Sequence, residues 1–260
     1  MKAALLQLTS GTDPDANFAA VEALAAQTDA AWLLTPEMTP LLEKDRAKLE
    51  AAVRPEDEVL APYRALAARR GGHLLLGSAA IRRDDGRIAN RAFMIDPDGA
   101  VTARYDKMHL FEASLPGGES YRESDTYAAG DSPVVTVVGD LRVGLSICYD
   151  LRFPALYSGY AVDGVDVLTA PSAFTRSTGR AHWRTLLRAR AIETGAWMLA
   201  PAQGGDHADG RRTWGRTMAV SPWGEVADVL DHDRPGLLEV EIDRKAVADA
   251  RSRIPAWRQR

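Results

Sequence analysis

The chain has 260 residues, of which 46% are hydrophobic and 26% charged, with a formal net charge of −4. This is the balance of a globular protein with a sizeable core, and it lacks the basic excess of a nucleic-acid binder. One cysteine allows neither an internal disulfide nor an all-cysteine metal site, and no stretch approaches the ~20 apolar residues of a membrane span.

The opening Met1-Lys2-Ala3-Ala4-Leu5-Leu6-Gln7-Leu8 is too short for the apolar part of a signal peptide and reads as a first strand, so the expected compartment is the cytoplasm. Asp13-Pro14 is an N-cap with proline at the first helical position, and Phe18, Val21, Leu24 and Ala25 continue at helical spacing. Ala31-Trp32-Leu33-Leu34 is a short strand without alternation, as suits burial on both faces, and it ends in Thr35-Pro36-Glu37-Met38-Thr39-Pro40. A polar helix is predicted over 41–53, and a second ends at Gly71-Gly72. Strands follow over 73–80, 90–95 and 101–105, separated by the turn signals Asp84-Asp85-Gly86 and Asp96-Pro97-Asp98-Gly99. The last of these strands leads into Asp106-Lys107-Met108-His109-Leu110-Phe111.

Residues 112–131 show little periodicity and are expected to form a long loop. Strands over 134–138 and 141–147 then deliver Cys148, the sole cysteine, at a strand-to-loop junction. Beyond it the pattern gives a helix over 154–162, a strand over 166–171, a loop over 172–179 and a helix over 182–194. Strands over 197–202, 217–220, 226–230 and 236–242 and a helix over 244–252 complete the chain. There is no internal repeat or linker, so one domain over 1–260 is expected. Strand–helix alternation broken by hairpins indicates an α/β layered fold with mixed sheets, and roughly a dozen strands suggest two packed sheets.

A lone buried cysteine is commonly just a small hydrophobe, so the catalytic reading depends on partners. The five histidines offer little. His207 and His232 sit among aspartates in polar loops and read as solvated, His73 and His182 read as structural, and only His109 lies in a suspicious segment. Neither a papain-like order nor zinc-protease ligand spacing is present. The alternative is a carboxylate base with a lysine. Glu37, held between prolines, and Lys107 both lie at strand-to-loop junctions, as Cys148 does, and ligand crevices form at strand ends in such folds.

The segments Leu34-Thr35-Pro36-Glu37-Met38, Tyr105-Asp106-Lys107-Met108-His109-Leu110-Phe111 and Gly144-Leu145-Ser146-Ile147-Cys148-Tyr149-Asp150-Leu151-Arg152-Phe153-Pro154 resemble, in order, the three signatures of the nitrilase (carbon–nitrogen hydrolase) superfamily. Pro171-Ser172-Ala173-Phe174, Leu186-Leu187-Arg188-Ala189-Arg190-Ala191-Ile192-Glu193 and Ser221-Pro222-Trp223-Gly224-Glu225 are similar to its nitrilase-like amidase branch.

The resemblance implies a four-layer αββα sandwich, a homodimer packed through outer helices, and no metal or organic cofactor. It makes Cys148 the nucleophile, Glu37 the general base and acid, Lys107 the oxyanion-stabilising cation and Glu123 a helper. The backbone N–H of Tyr149 is the implied second oxyanion donor. It also implies hydrolysis of a small carboxylate-bearing amide to acid and ammonia through a thioester, most nearly as in deaminated glutathione amidases. Alternatives are an ω-amidase of α-ketoglutaramate or α-ketosuccinamate, an N-carbamoyl amino acid amidohydrolase, and a non-enzymatic binding module of the same fold. Among Arg122, Arg152, Arg176 and Arg180, one is expected to hold the substrate carboxylate, and Arg152, Phe174 and Arg176 are the candidate substrate contacts.

Overall fold

The computed structural model describes residues 1–114, 118 and 120–258. Two mixed sheets stack face to face. The first runs Gly236–Glu241, Lys2–Gln7, Trp32–Leu34, His73–Arg82, Ile88–Ile95, Val101–Asp106, with Tyr127–Ala128 also paired to Ile88–Ile95. The second runs Val226–Val229, Met218–Val220, Trp197–Ala200, Val167–Thr169, Leu141–Gly144, Val135–Val138. Each has three parallel strands at its centre and antiparallel strands outside them.

The period-2 alternation of a strand divides its side chains between the two faces. Trp32, Leu34, Leu75 and Met94 point inward and meet Val143, Val167, Trp197 and Leu199 of the facing sheet. Their neighbours Leu33, Leu74, Leu76 and Phe93 point outward and pack on Val21, Leu60 and Tyr63 of the helices Pro14–Ala25 and Glu56–Arg70. Leu168, Met198 and Ala200 do the same against Tyr157, Tyr160, Trp183 and Leu187 of the helices Pro154–Val162 and Arg176–Thr194. Apolar strands without polar alternation are thus covered on both sides, and the architecture is the αββα sandwich.

Local chemistry accounts for the element limits. Asp13 accepts hydrogen bonds from Asp15 and Ala16 N–H, capping the first helix, and Gly71, at φ +58°, ends the helix Glu56–Arg70. Three expectations need correction. The helix expected over 41–53 is only Arg46–Ala52, capped by Asp45, because Leu41 and Leu42 are drawn from it into a buried cluster with Met38, Leu49 and Ile88. The helix expected from 182 begins at Arg176, where Thr175 accepts from Thr178 N–H; part of the expected loop 172–179 is therefore helical. The 112–131 segment is not structureless: Glu112–Ser114 pairs with Ser120–Arg122, and a 3-10 turn Glu123–Asp125 follows. Among the described residues no helix is long and apolar enough to cross a membrane.

Candidate active site

Three chain segments leave the sheets at one end and meet. The strand Trp32–Leu34 runs into Glu37, and Leu141–Gly144 of the facing sheet runs into Cys148. Val101–Asp106 is two antiparallel steps from His73–Arg82, so it points the same way and releases Lys107 at that end. A bulge in His73–Arg82 receives the Glu37 loop. Gly77 N–H donates to Thr35 Oγ1 at 3.0 Å, while Met38 and Thr39 N–H donate to Ser78 Oγ and O at 2.9 and 3.1 Å.

Backbone strain collects at this place. Among the described residues, three non-glycine residues have positive φ, and two of them are Cys148, at +49°, and Met38, directly after Glu37, at +53°. Cys148 N–H donates to Pro171 O at 3.0 Å, which anchors the start of the 3-10 turn Cys148–Arg152 to the neighbouring strand end. Asp150, fully buried, closes the turn by accepting from Ile147 N–H at 2.8 Å. The same carboxylate accepts from Tyr105 OH at 2.7 Å and His109 N–H at 3.0 Å, with His109 Nδ1 at 2.7 Å. One buried carboxylate therefore ties the Cys148 turn to the segment carrying Lys107.

Lys107 Nζ lies 2.9 Å from Glu37 Oε1, and 3.1 and 2.8 Å from Glu123 Oε1 and Oε2. Glu37 Oε2 accepts from Ala173 N–H at 2.9 Å, and the same carboxylate acts electrostatically on the Cys148 thiol. Glu123 also accepts from Phe111 N–H at 2.6 Å.

Burial would raise the Glu37 pKa, but the Lys107 ammonium, with hydrogen bonds from Cys148 and Asn90, outweighs it and holds the carboxyl below its ordinary value. Burial would lower that of Lys107, yet Glu123 and Glu37 hold it well above the usual lysine range. Burial first and the Glu37 carboxylate second push the Cys148 thiol well up, against the opposing pull of Lys107. The resting arrangement is a thiol, a carboxylate and an ammonium gathered in one buried cluster.

These groups line a cleft of about 810 Å³. Arg176 and Arg122 are on its wall, and Arg176 is held by Asp233 at 3.0 Å and Asp206 at 3.3 Å. Phe174 and Arg152 are not on that wall. Phe174 is buried against Trp183, and Arg152 stands over the Tyr149 and Phe174 rings, its Nη1 3.2 Å from His182 Nδ1. Arg180 is exposed. His207 corrects the expectation of a solvated loop: it is buried between Ser10 O at 2.8 Å and Thr213 Oγ1 at 2.7 Å. It belongs to an unforeseen hairpin, Gly204–Asp206 with Arg212–Trp214, one side of which forms cleft wall.

Sequence reasoning also missed Asn90, whose Nδ2 lies 2.9 Å from Glu37 Oε1 and 3.1 Å from Glu123 Oε1. Among the described residues no group of three or more His, Cys, Asp or Glu side chains is placed to hold a metal ion.

Fold and site together define a carbon–nitrogen hydrolase, and the chain belongs to that family: the carbon–nitrogen hydrolase profile matches residues 2–252. The chain is 37% identical over 258 residues to the deaminated glutathione amidase of Yersinia enterocolitica, covering 97% of this chain and 90% of that one. The human deaminated glutathione amidase is also 37% identical, over 99% of this chain and 81% of its own length. Among solved structures, the Caenorhabditis elegans NitFhit protein superposes with a TM-score of 0.91 at 34% identity, covering all of this chain and 64% of that one. The family and these relatives make the chain an amidase-type enzyme acting on a small-molecule amide.

Proposed function

We propose that Cys148, Glu37 and Lys107 hydrolyse a carboxylate-bearing linear amide of the deaminated glutathione type through a thioester. The observation that carries this reading is the buried Glu37 carboxylate, which acts on the Cys148 thiol and is held by Lys107 Nζ and Ala173 N–H, each at 2.9 Å. As the sulfur attacks the amide carbon, Glu37 takes the thiol proton. Lys107 and the backbone N–H of Tyr149, in the first turn after the nucleophile, hold the oxyanion, and Glu123 orients Lys107. Glu37 returns the proton to the departing nitrogen, leaving a thioester. It then takes a proton from water as that water attacks, and the acid leaves as the thiol is restored. A primary amide releases ammonia by this route. An N-substituted amide, such as the one within deaminated glutathione, releases an amine.

Charge on the outer cleft wall supports an anionic substrate. The cleft lining carries Lys44, Lys107, Arg122, Arg176, Arg211 and Arg212 against Glu37, Glu43 and Glu123, and Lys44, Arg122 and Arg212 make no ion pair among the described residues. The chain is further proposed to act as one domain over 1–260, in the cytoplasm, and as a homodimer. For the homodimer, the exposed Val162, Ile192, Trp223 and Ile254 around the outer helices supply apolar surface that a second copy would cover. Sedimentation at micromolar concentration tests the dimer.

The activity is tested by following acid, amine and ammonia release from deaminated glutathione, α-ketoglutaramate and N-carbamoyl amino acids, with Cys148→Ala as control. The proposal expects the highest kcat/KM on deaminated glutathione and none in the control. Product release unchanged by Cys148→Ala refutes the mechanism, and a clear preference for another of these amides refutes the substrate.

A further inference from the structure

Asn90 is a buried polar residue to which the mechanism above gives no task. It is the third residue of the strand Ile88–Ile95 and is 1% exposed. Its Nδ2 reaches Glu37 Oε1 at 2.9 Å and Glu123 Oε1 at 3.1 Å, the same two oxygens that Lys107 Nζ reaches at 2.9 and 3.1 Å. Its main-chain carbonyl accepts from Lys107 N–H at 2.9 Å. Only the NH2 end of an amide can face two carboxylates, so the orientation of the side chain follows from the chemistry. The opposite end, Oδ1, is buried without a partner. For stability alone this is a poor choice, because an apolar residue of similar size would strand no acceptor.

We infer that Asn90 is a positioning residue that keeps Glu37 and Glu123 both ionised and directs the transferable proton to Glu37 Oε2. The inference rests on the catalytic reading of Cys148, Glu37 and Lys107. Two carboxylates on one cation hold one negative charge too many, and like-charged carboxylates at close quarters relieve that by sharing a proton. A Glu37 that shares a proton with Glu123 is no base for the thiol. Lys107 cannot prevent this alone, since its N–H groups are divided between both acids. Asn90 adds neutral donors to both without adding charge.

The remaining titratable groups that act on the pair are Cys148 from its turn and Tyr127 from its short strand, and Arg211 of the hairpin acts in turn on Tyr127. With Lys107 and Asn90 both on Oε1, that oxygen is occupied throughout the cycle. Oε2 faces Ala173 N–H, which also lies beside the Cys148 sulfur, and is left to exchange the proton.

The test compares Asn90→Leu, which keeps the size and removes both donors, with Asn90→Ser, which keeps one shorter donor. Hydrolysis of the best amide substrate is measured over a pH series, with circular dichroism to check folding. The Leu variant is expected to move the acid limb of kcat/KM upward by about one pH unit, on the scale of one charge-assisted hydrogen bond, with the plateau lowered as well. The Ser variant is expected to fall between it and the wild type. An unmoved limb in a folded variant, whether or not activity drops uniformly, overturns the inference. If the Leu variant does not fold, the Ser variant decides by the same readout. Cys148→Ala run alongside separates the two claims. Activity surviving in it removes the catalytic reading and this inference together, whereas an inactive Cys148→Ala with an unmoved limb in the Asn90 variants removes only the inference.

Discussion

Gly77→Ala adds one methyl group at the bulge that supports the Glu37 loop, and its consequences can be worked from distances. The new Cβ would lie 2.1 Å from Thr35 O, 2.4 Å from Pro36 O and 2.6 Å from Pro171 Cβ. Carbon–oxygen contacts settle at about 3.3 Å or more, so the two carbonyls must retreat by about 1 Å. Both oxygens are backbone, which cannot swing aside as a side-chain tip does. Overpacking of this kind costs about 1–3 kcal/mol, and the upper end is expected here. The displaced segment carries Glu37, and Pro171 accepts the Cys148 N–H, so Glu37 and Cys148 shift relative to each other. A misplacement near 1 Å lowers kcat by about 100-fold. Urea denaturation gives the first quantity and steady-state hydrolysis the second. A variant with the wild-type midpoint and kcat would show that the bulge does not set the position of Glu37.

Glu37→Gln should abolish hydrolysis and, at the same time, lower the Cys148 pKa, because the carboxylate is the second cause, after burial, of the raised value. Thiolate ultraviolet absorbance against pH reads this directly, and an unchanged or higher titration point would contradict the contact. The depressed Glu37 pKa contributes stability that is present above the ordinary carboxylate value and is lost as pH falls through the folded one. Urea midpoints taken through the acid range should therefore fall less steeply in Glu37→Gln than in the wild type, and parallel curves would count against the linkage. Tyr105→Phe removes one of the donors to Asp150 and should cost about 1–2 kcal/mol while lowering kcat through the Lys107 segment. Wild-type stability and kcat would show that Asp150 does not couple the two segments through Tyr105.

The parts of the site that the sequence made legible are those carried on the ends of buried strands. Glu37 and Cys148 each follow an apolar run that breaks into turn residues, Lys107 follows the strand Val101–Asp106, and the structure brings these three ends together. Glu123 came only through family resemblance, since its segment has no periodicity and is placed by the hairpin Glu112–Ser114 with Ser120–Arg122. Asn90 stayed hidden for a geometric reason. Its strand runs opposite to its neighbours, so a residue near the start of that strand reaches the end where the others finish. Alternation marks such a residue only as buried. Asp150 and His207 were hidden because their partners, Tyr105 and Ser10, are distant in sequence and depend on a turn and a hairpin that periodicity does not reveal. Phe174 was misplaced because an aromatic residue next to a motif is equally at home in the core, where Trp183 holds it.

The raised Cys148 pKa bears on how the proposed reaction begins. A thiolate is not stored in the resting site, so the proton must leave as the sulfur attacks, and the acceptor must already be ionised and in contact. Glu37 meets both conditions, being held below its ordinary pKa and acting on the thiol within the same buried cluster. Before attack the polar cluster holds two carboxylates and one ammonium. When Glu37 takes the proton, Lys107 loses one of its two anionic partners at the moment an oxyanion forms nearby. The negative charge moves from Glu37 to the substrate oxygen, and the total within the buried site does not change. No buried charge is created or lost in forming the intermediate, which keeps the electrostatic cost of that step low among buried side chains. In the proposed reaction Glu123, 2.8 Å from Lys107 Nζ, keeps that ammonium in place, a task distinct from that of the base.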